Sequence, residues 1–170
     1  VSRQSIKIAA LLVSSALLTS ACAIGFNAGT SQQKASGNGR SADTGSIQVR
    51  GALIVVDPKK PGWGTFVGTI INTAAEQDKF IGLEIEPANG TPSQTNEPLK
   101  TQEPAEFGLP GQKVLPIQLT SNVKPGSLIK VLLDFQNNVA IPMNLLVENN
   151  DGIYSDIVVH NLDGEHIPFR

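Results

Sequence analysis

Cys22, Met143, His160 and His166 are the only cysteine, methionine and histidine side chains in the chain, so thiol, thioether or imidazole chemistry must run through these four positions. Cys22 closes the stretch Leu18-Thr19-Ser20-Ala21-Cys22, in which small residues lead up to a single thiol. Small side chains fit a signal peptidase cleft and a cysteine sulfur accepts a diacylglyceryl group, so the pattern reads as a bacterial lipoprotein signal. Arg3 and Lys7 give a basic start, and the apolar stretch from Ile8 to Leu18 suits a signal-peptide core while being too short to span a bilayer. Residues 1–21 are expected to be removed, leaving Cys22 as a lipidated N-terminus. The alternative is an ordinary secretory signal with an incidental cysteine, and Thr19 departs from the leucine most common at its place. Because two acyl chains anchor stably where one does not, the expected location is the extracytoplasmic face of the cell membrane.

With Cys22 acylated, no thiol remains for a disulfide, a thiol nucleophile or a cysteine zinc site. Met143 falls in register with Val139, Ile141, Leu145 and Val147, which makes it a core-filling side chain rather than a ligand. His160 and His166 stand near Asp156, Asp163 and Glu165. Two imidazoles with carboxylates would suit a borderline divalent ion, so they are weak candidate metal ligands beside the plainer reading of solvated tail histidines. No metal or other cofactor is expected.

Other motifs carry less. Gly37-Asn38-Gly39-Arg40-Ser41-Ala42 matches a dinucleotide fingerprint only superficially, with no strand before it and no helix after it. Asn149-Asn150-Asp151-Gly152 resembles the middle of a calcium loop, but Val147 and Val158 stand where carboxylates are required, so it reads as a turn. No Gly-x-Ser-x-Gly elbow is present, and the pairs Glu84/Glu86 and Glu103/Glu106 read as a solvent face and a charged loop. No catalytic residues are assigned and the chain is not expected to be an enzyme. Trp63, between Gly62 and Gly64, is the lone tryptophan; the turn either offers it to an envelope protein partner or folds it down as a lid.

Of 13 basic residues two precede Cys22, and of 15 acidic residues none does, leaving 11 against 15 and a formal charge of −4 after cleavage. No basic stripe exists for nucleic acid, and membrane attachment would rest on the lipid. From Asn27 to Ser46 the chain is Gly, Ser, Asn, Gln and Thr with alanines as its only apolar residues. Such a run cannot bury enough surface to order itself and predicts a flexible tether with a reach on the order of 25 Å. The expected organisation is a signal over residues 1–21, a lipidated tether over 22–46, one domain over 47–160 and a tail over 161–170.

The domain reads as β throughout. Ile47-Gln48-Val49-Arg50 alternates and runs into Leu53-Ile54-Val55-Val56, and TFVGTIIN follows from Thr65 to Asn72. Ile81, Leu83 and Ile85 alternate with Gly82, Glu84 and Glu86, the mark of a strand with one buried face. Leu115, Ile117 and Leu119 repeat the period, as do Ile129, Val131, Leu133 and Phe135; Asn137-Asn138 then predicts a tight hairpin, since Asn tolerates positive φ. Pro87 to Gly111 is expected to be a long exposed loop, Pro116 and Pro142 mark edges or bulges, and Ile153 to Val159 reads as a strand for a sheet edge or a partner. Six or seven short strands predict an all-β, antiparallel β-sandwich, cupredoxin-like or immunoglobulin-like.

Asn72-Thr73, then Asp78-Lys79-Phe80-Ile81-Gly82, Leu109-Pro110-Gly111-Gln112, and Val123-Lys124-Pro125-Gly126 leading into Val131-Leu132-Leu133-Asp134-Phe135 stand in an order that resembles the copper chaperone PCu(A)C-like domain family. The likeness, nearest to the family's actinobacterial lipoprotein branch, covers roughly Gly45 to Glu148. It implies a cupredoxin-like β-sandwich outside the cytoplasm, a fold whose metal-binding members carry copper toward respiratory oxidase assembly. Those members place a His after the early strands, a Met in the following loop and a His-any-Met pair before the Lys-Pro-Gly turn. Here the corresponding stretch is Lys113-Val114-Leu115-Pro116-Ile117, with neither ligand type. Soft Cu(I) does not accept oxygen ligands in exchange, so the family's copper site does not carry over. The expectation is a binding or scaffold module, with a metal chaperone using a relocated or partner-completed site as the alternative.

Overall fold

The computed structural model describes residues 38–160; the signal segment, Cys22, most of the tether, and the tail with His166 lie outside the described residues. Nine strands form the domain: β1 (Arg40–Thr44), β2 (Ile47–Val56), β3 (Trp63–Asn72), β4 (Asp78–Ile85), β5 (Ser93–Leu99), β6 (Pro104–Phe107), β7 (Pro116–Gln118), β8 (Leu128–Phe135) and β9 (Ile141–Asn149). They run in the order β5-β4-β8-β9-β2-β3-β6, with β1 on β2 and β7 on β3. The sheet folds over itself into a cupredoxin-like sandwich that is nearly a closed barrel. One pairing departs from the antiparallel expectation: β2 and β9 run parallel from Ile54↔Val147 to Val56↔Asn149.

The face each strand buries is set by alternation and reset by bulges. In β2, Ile47 and Val49 point into the core; a bulge between Arg50 and Leu53, with Gly51 at φ 61, inserts one residue so that Ala52 and Ile54 follow on the same side. Leu53 and Val55 therefore face outward, yet they are buried too, under Ile157 and Val159 of the C-terminal segment. Coverage on both faces explains the unbroken run Leu53–Val56. A second bulge between Phe80 and Gly82 corrects the expected register of β4: Phe80, Leu83 and Ile85 are buried, and Ile81 is not. Phe66, Phe80, Phe107 and Phe135 meet at the centre with ring centroids 5.6–6.2 Å apart.

Strands β8 and β9 bury the expected residues, Met143 among them at 8% exposure, packed within the main core. Their connection is not the tight Asn-Asn turn: it runs from Gln136 to Ala140, neither Asn has positive φ, and Val139 is 75% exposed. Pro142 lies in the half of β9 that pairs with β8 alone, and Pro116 sits in β7, which pairs only with β3.

Three further expectations are corrected. The tether gives way to β1 from Arg40, a strand of small polar residues held by backbone bonds to β2 and by an Arg50–Asp43 ion pair, so no apolar period announces it. The expected loop over Pro87–Gly111 contains β5 and β6, whose few inward side chains, Leu99, Ala105 and Phe107, are buried among otherwise polar sequence. Ile153–Val159 is not a strand: a 3-10 turn at Gly152–Tyr154 leads into an irregular segment lying over the outer face of β2 and β3.

Candidate functional site

The stretch Lys113–Ile117, where resemblance placed metal ligands, borders a groove of about 980 Å3. One wall is β5, an edge strand; the other is the line formed by β6 and β7, which sit end to end along β3. Thr91 N–H donates to the Gln118 carbonyl at 3.0 Å and the Ser93 hydroxyl to the Pro116 carbonyl at 2.5 Å, stitching one end. Further along, Lys113 pairs with Glu97 at 3.3 Å, and Gln112 donates to Glu106 at 3.0 Å. Leu115 and Ile117 turn into the core, so the groove offers carboxylate, hydroxyl and amide oxygens and an ammonium, with no imidazole or thioether lining it. That donor set does not fit a soft copper ion.

A second cavity, of about 430 Å3, lies where β2 ends, β3 begins and β9 ends. Trp63, Leu119 and Val123 line it together with Asp57, Lys60, Lys124 and Asn149. Its rims are fixed by backbone bonds: Lys60 N–H to the Asp57 carbonyl at 2.8 Å, Leu119 N–H to the Gly62 carbonyl at 2.8 Å, and Asn150 N–H to the Val56 carbonyl at 2.9 Å. Asn149 Oδ1 is buried and has no hydrogen-bond donor among the described residues. Such an acceptor is costly to leave unmet, about 1–3 kcal/mol, which marks the position as a place to be filled from outside.

Trp63 does both things its turn allowed. It is half-buried, packed against the cluster of Leu53, Val55, Val67, Ile157 and Val159, and it also lines the cavity. Tyr154 packs against the same cluster, and burial pushes its phenol above the usual value, with the Glu148 carboxylate adding to the rise and a hydrogen bond with Asn38 opposing it. Lys60 Nζ donates to the Val159 carbonyl at 2.7 Å and Thr65 Oγ1 to the Val158 carbonyl at 3.0 Å, so the C-terminal segment is tied to the cavity wall.

His160 follows Val159 directly and is half-buried; Cys22 and His166 lie outside the described residues. Among the described residues no three His, Cys, Asp or Glu side chains gather within reach of one metal ion. Glu86 is exposed and pairs with Lys130 at 3.3 Å, and Glu103 with Lys100 at 3.0 Å, which leaves both as surface charges. Sequence reasoning singled out Trp63 but missed Asn149 and Lys60. Asn149 read as part of a turn, and nothing in its neighbours announces an unpaired acceptor.

No family model and no curated protein matches the sequence. Among solved structures the copper-bound PCuAC domain from PmoF2 is similar, with a TM-score of 0.56 and 13% identity, covering 65% of this chain and 98% of that one. The apo PCuAC domain from PmoF1 has a TM-score of 0.57 at 13% identity over 65% and 99%, and the apo PmoF2 PCuAC domain 0.54 at 14% over 66% and 98%. At such identity the likeness concerns the backbone, and on that ground the chain has a PCuAC-like, cupredoxin-type β-sandwich fold.

Proposed function

We propose that this chain is a lipid-anchored module of the cell envelope, held through Cys22 at the extracytoplasmic face of the membrane, which binds an envelope component and does not catalyse. The observation that carries the binding reading is the cavity beside Trp63, a framed apolar hollow with an unmet buried acceptor at Asn149. The PCuAC-like groove supports the same reading from the other side, because Lys113 and Glu97 occupy it as an ion pair. Fractionation tests the anchor: the native chain should stay with the membrane and carry an acylated N-terminal cysteine by mass spectrometry, while Cys22→Ser should be released. A Cys22→Ser chain that remains membrane-bound would remove lipid anchoring through that residue.

A second reading is favoured by the copper-bound PCuAC neighbour: a metal chaperone whose site has moved to His160 and His166 or is completed by a partner. Titration with Cu(I), Cu(II) and Zn(II) against a competing chelator separates the two. One-to-one binding lost in His160→Ala and His166→Ala would replace the first reading, and binding unchanged by both substitutions would leave the relocated site without support.

A further inference from the structure

We propose that the Trp63 cavity binds a saccharide ring, neutral or bearing an acid group; this rests on the binding reading above. The cavity, at about 430 Å3, falls in the size range of small-molecule sites, and its lining narrows the chemistry. Asn149 Oδ1 is buried without a donor among the described residues, so the occupant must bring an O–H or N–H. A hydrocarbon chain or a bare carboxylate brings neither.

Lys60 and Lys124 line the same space. Lys60 Nζ spends one donor on the Val159 carbonyl and keeps two, while Asp57 Oδ1 accepts from Lys59 N–H at 2.8 Å and Oδ2 is left over. Two ammonium groups against one carboxylate disfavour a cationic amine and favour a ligand that both donates and accepts. Trp63, Leu119 and Val123 supply an apolar wall for a face of C–H groups. A sugar ring unites these demands, with hydroxyls around its edge and C–H groups on its face. An extended peptide fits less well, because it needs a free strand edge and this rim is closed by turns, Lys60 N–H to Asp57 and Val123 N–H to the Thr120 carbonyl at 3.1 Å.

Trp63 is the only tryptophan, so its emission reports on this cavity alone. The full chain carrying Cys22→Ser would be titrated with glucose, N-acetylglucosamine, glucuronate and short oligomers of each, with a capped proline-rich peptide alongside. A saturable change in emission with a saccharide is expected, weakened about tenfold in Asn149→Ala. Lys124→Gln, at an exposed position, should weaken glucuronate and leave the neutral sugars unchanged. A response to the peptide alone would overturn the saccharide assignment and leave the binding reading standing. No response to any probe, with Trp63 shielded from acrylamide quenching, would overturn both.

Discussion

Asn138 Nδ2 donates to Asp78 Oδ2 at 2.7 Å across sixty residues of sequence, fastening the β8–β9 connection to the first residue of β4. The other oxygen of Asp78 accepts from Lys79 N–H at 2.7 Å and Asn137 N–H at 2.8 Å. Asn138 Oδ1 in turn accepts from the Ser46 hydroxyl at 2.9 Å, bringing in the start of β2. Asp78 is only 4% exposed, so these donors are what make a carboxylate tolerable there.

Asp78→Ala should therefore lower unfolding free energy by roughly 2–4 kcal/mol, since it strands two donors of the connection along with the charge site. Asn138→Ala should cost about 1–2 kcal/mol by the same reasoning. A double-mutant cycle in urea checks the link: the two losses should fall short of additive by at least about 0.5 kcal/mol. Strict additivity would mean the pair does not act as a unit.

Gly82→Ala should be among the most damaging single-methyl additions. Gly82 sits in the bulge of β4, and a Cβ there would overlap the Ser93 carbonyl and crowd the Gln94 backbone of β5. Adding it must push β5 away from β4, at a cost of about 2 kcal/mol or more. Hydrogen exchange should show protection lost first in Ser93–Leu99. A variant with unchanged melting and unchanged exchange in β5 would contradict the close approach.

The alternation of β8 and β9 was legible because both strands bury one face against one core without a bulge. In β4 the same period misled by one residue, since the shift at Gly82 is a property of pairing with β5 and β8 and leaves no mark in the apolar pattern. Strands β1 and β5 were invisible for a related reason. Their stability comes from backbone bonds to β2 and β4, and their side chains are largely polar and exposed. The cavity was half legible: Trp63 stands out as a residue type, whereas Asn149 becomes notable only when β2 and β9 run parallel beside the Trp63 turn.

Tyr154 gives a pH-dependent test of the C-terminal segment. It is the only tyrosine, so absorbance of the phenolate near alkaline pH follows it alone. Burial and the Glu148 charge both favour the neutral phenol, raising its folded pKa above the ordinary value of about 10. A group raised on folding contributes stability that is present below its unfolded pKa and is lost as pH rises through the folded one. Stability should therefore begin to fall above about pH 10 through this group. Glu148→Gln should move the Tyr154 titration back toward the ordinary value; a midpoint unmoved by that change would place the carboxylate too far away to matter.

Ile157 tests whether the C-terminal segment is part of the fold or an appendage. It is 2% exposed and packs with Val159 over Leu53, Val55 and Val67, with Trp63 at the margin of the same cluster. Ile157→Ala should cost about 2–4 kcal/mol, the range for removing a buried branched side chain. The more specific consequence concerns Trp63, whose emission should shift to longer wavelength as its packing partner is withdrawn. Because Lys60 Nζ is bonded to the Val159 carbonyl, loosening the segment should also free the Lys60 ammonium at the cavity wall. Saccharide affinity should then change in Ile157→Ala although Ile157 does not line the cavity. Loss of stability with neither the emission shift nor any change in binding would confine the segment to a packing role and separate it from the site.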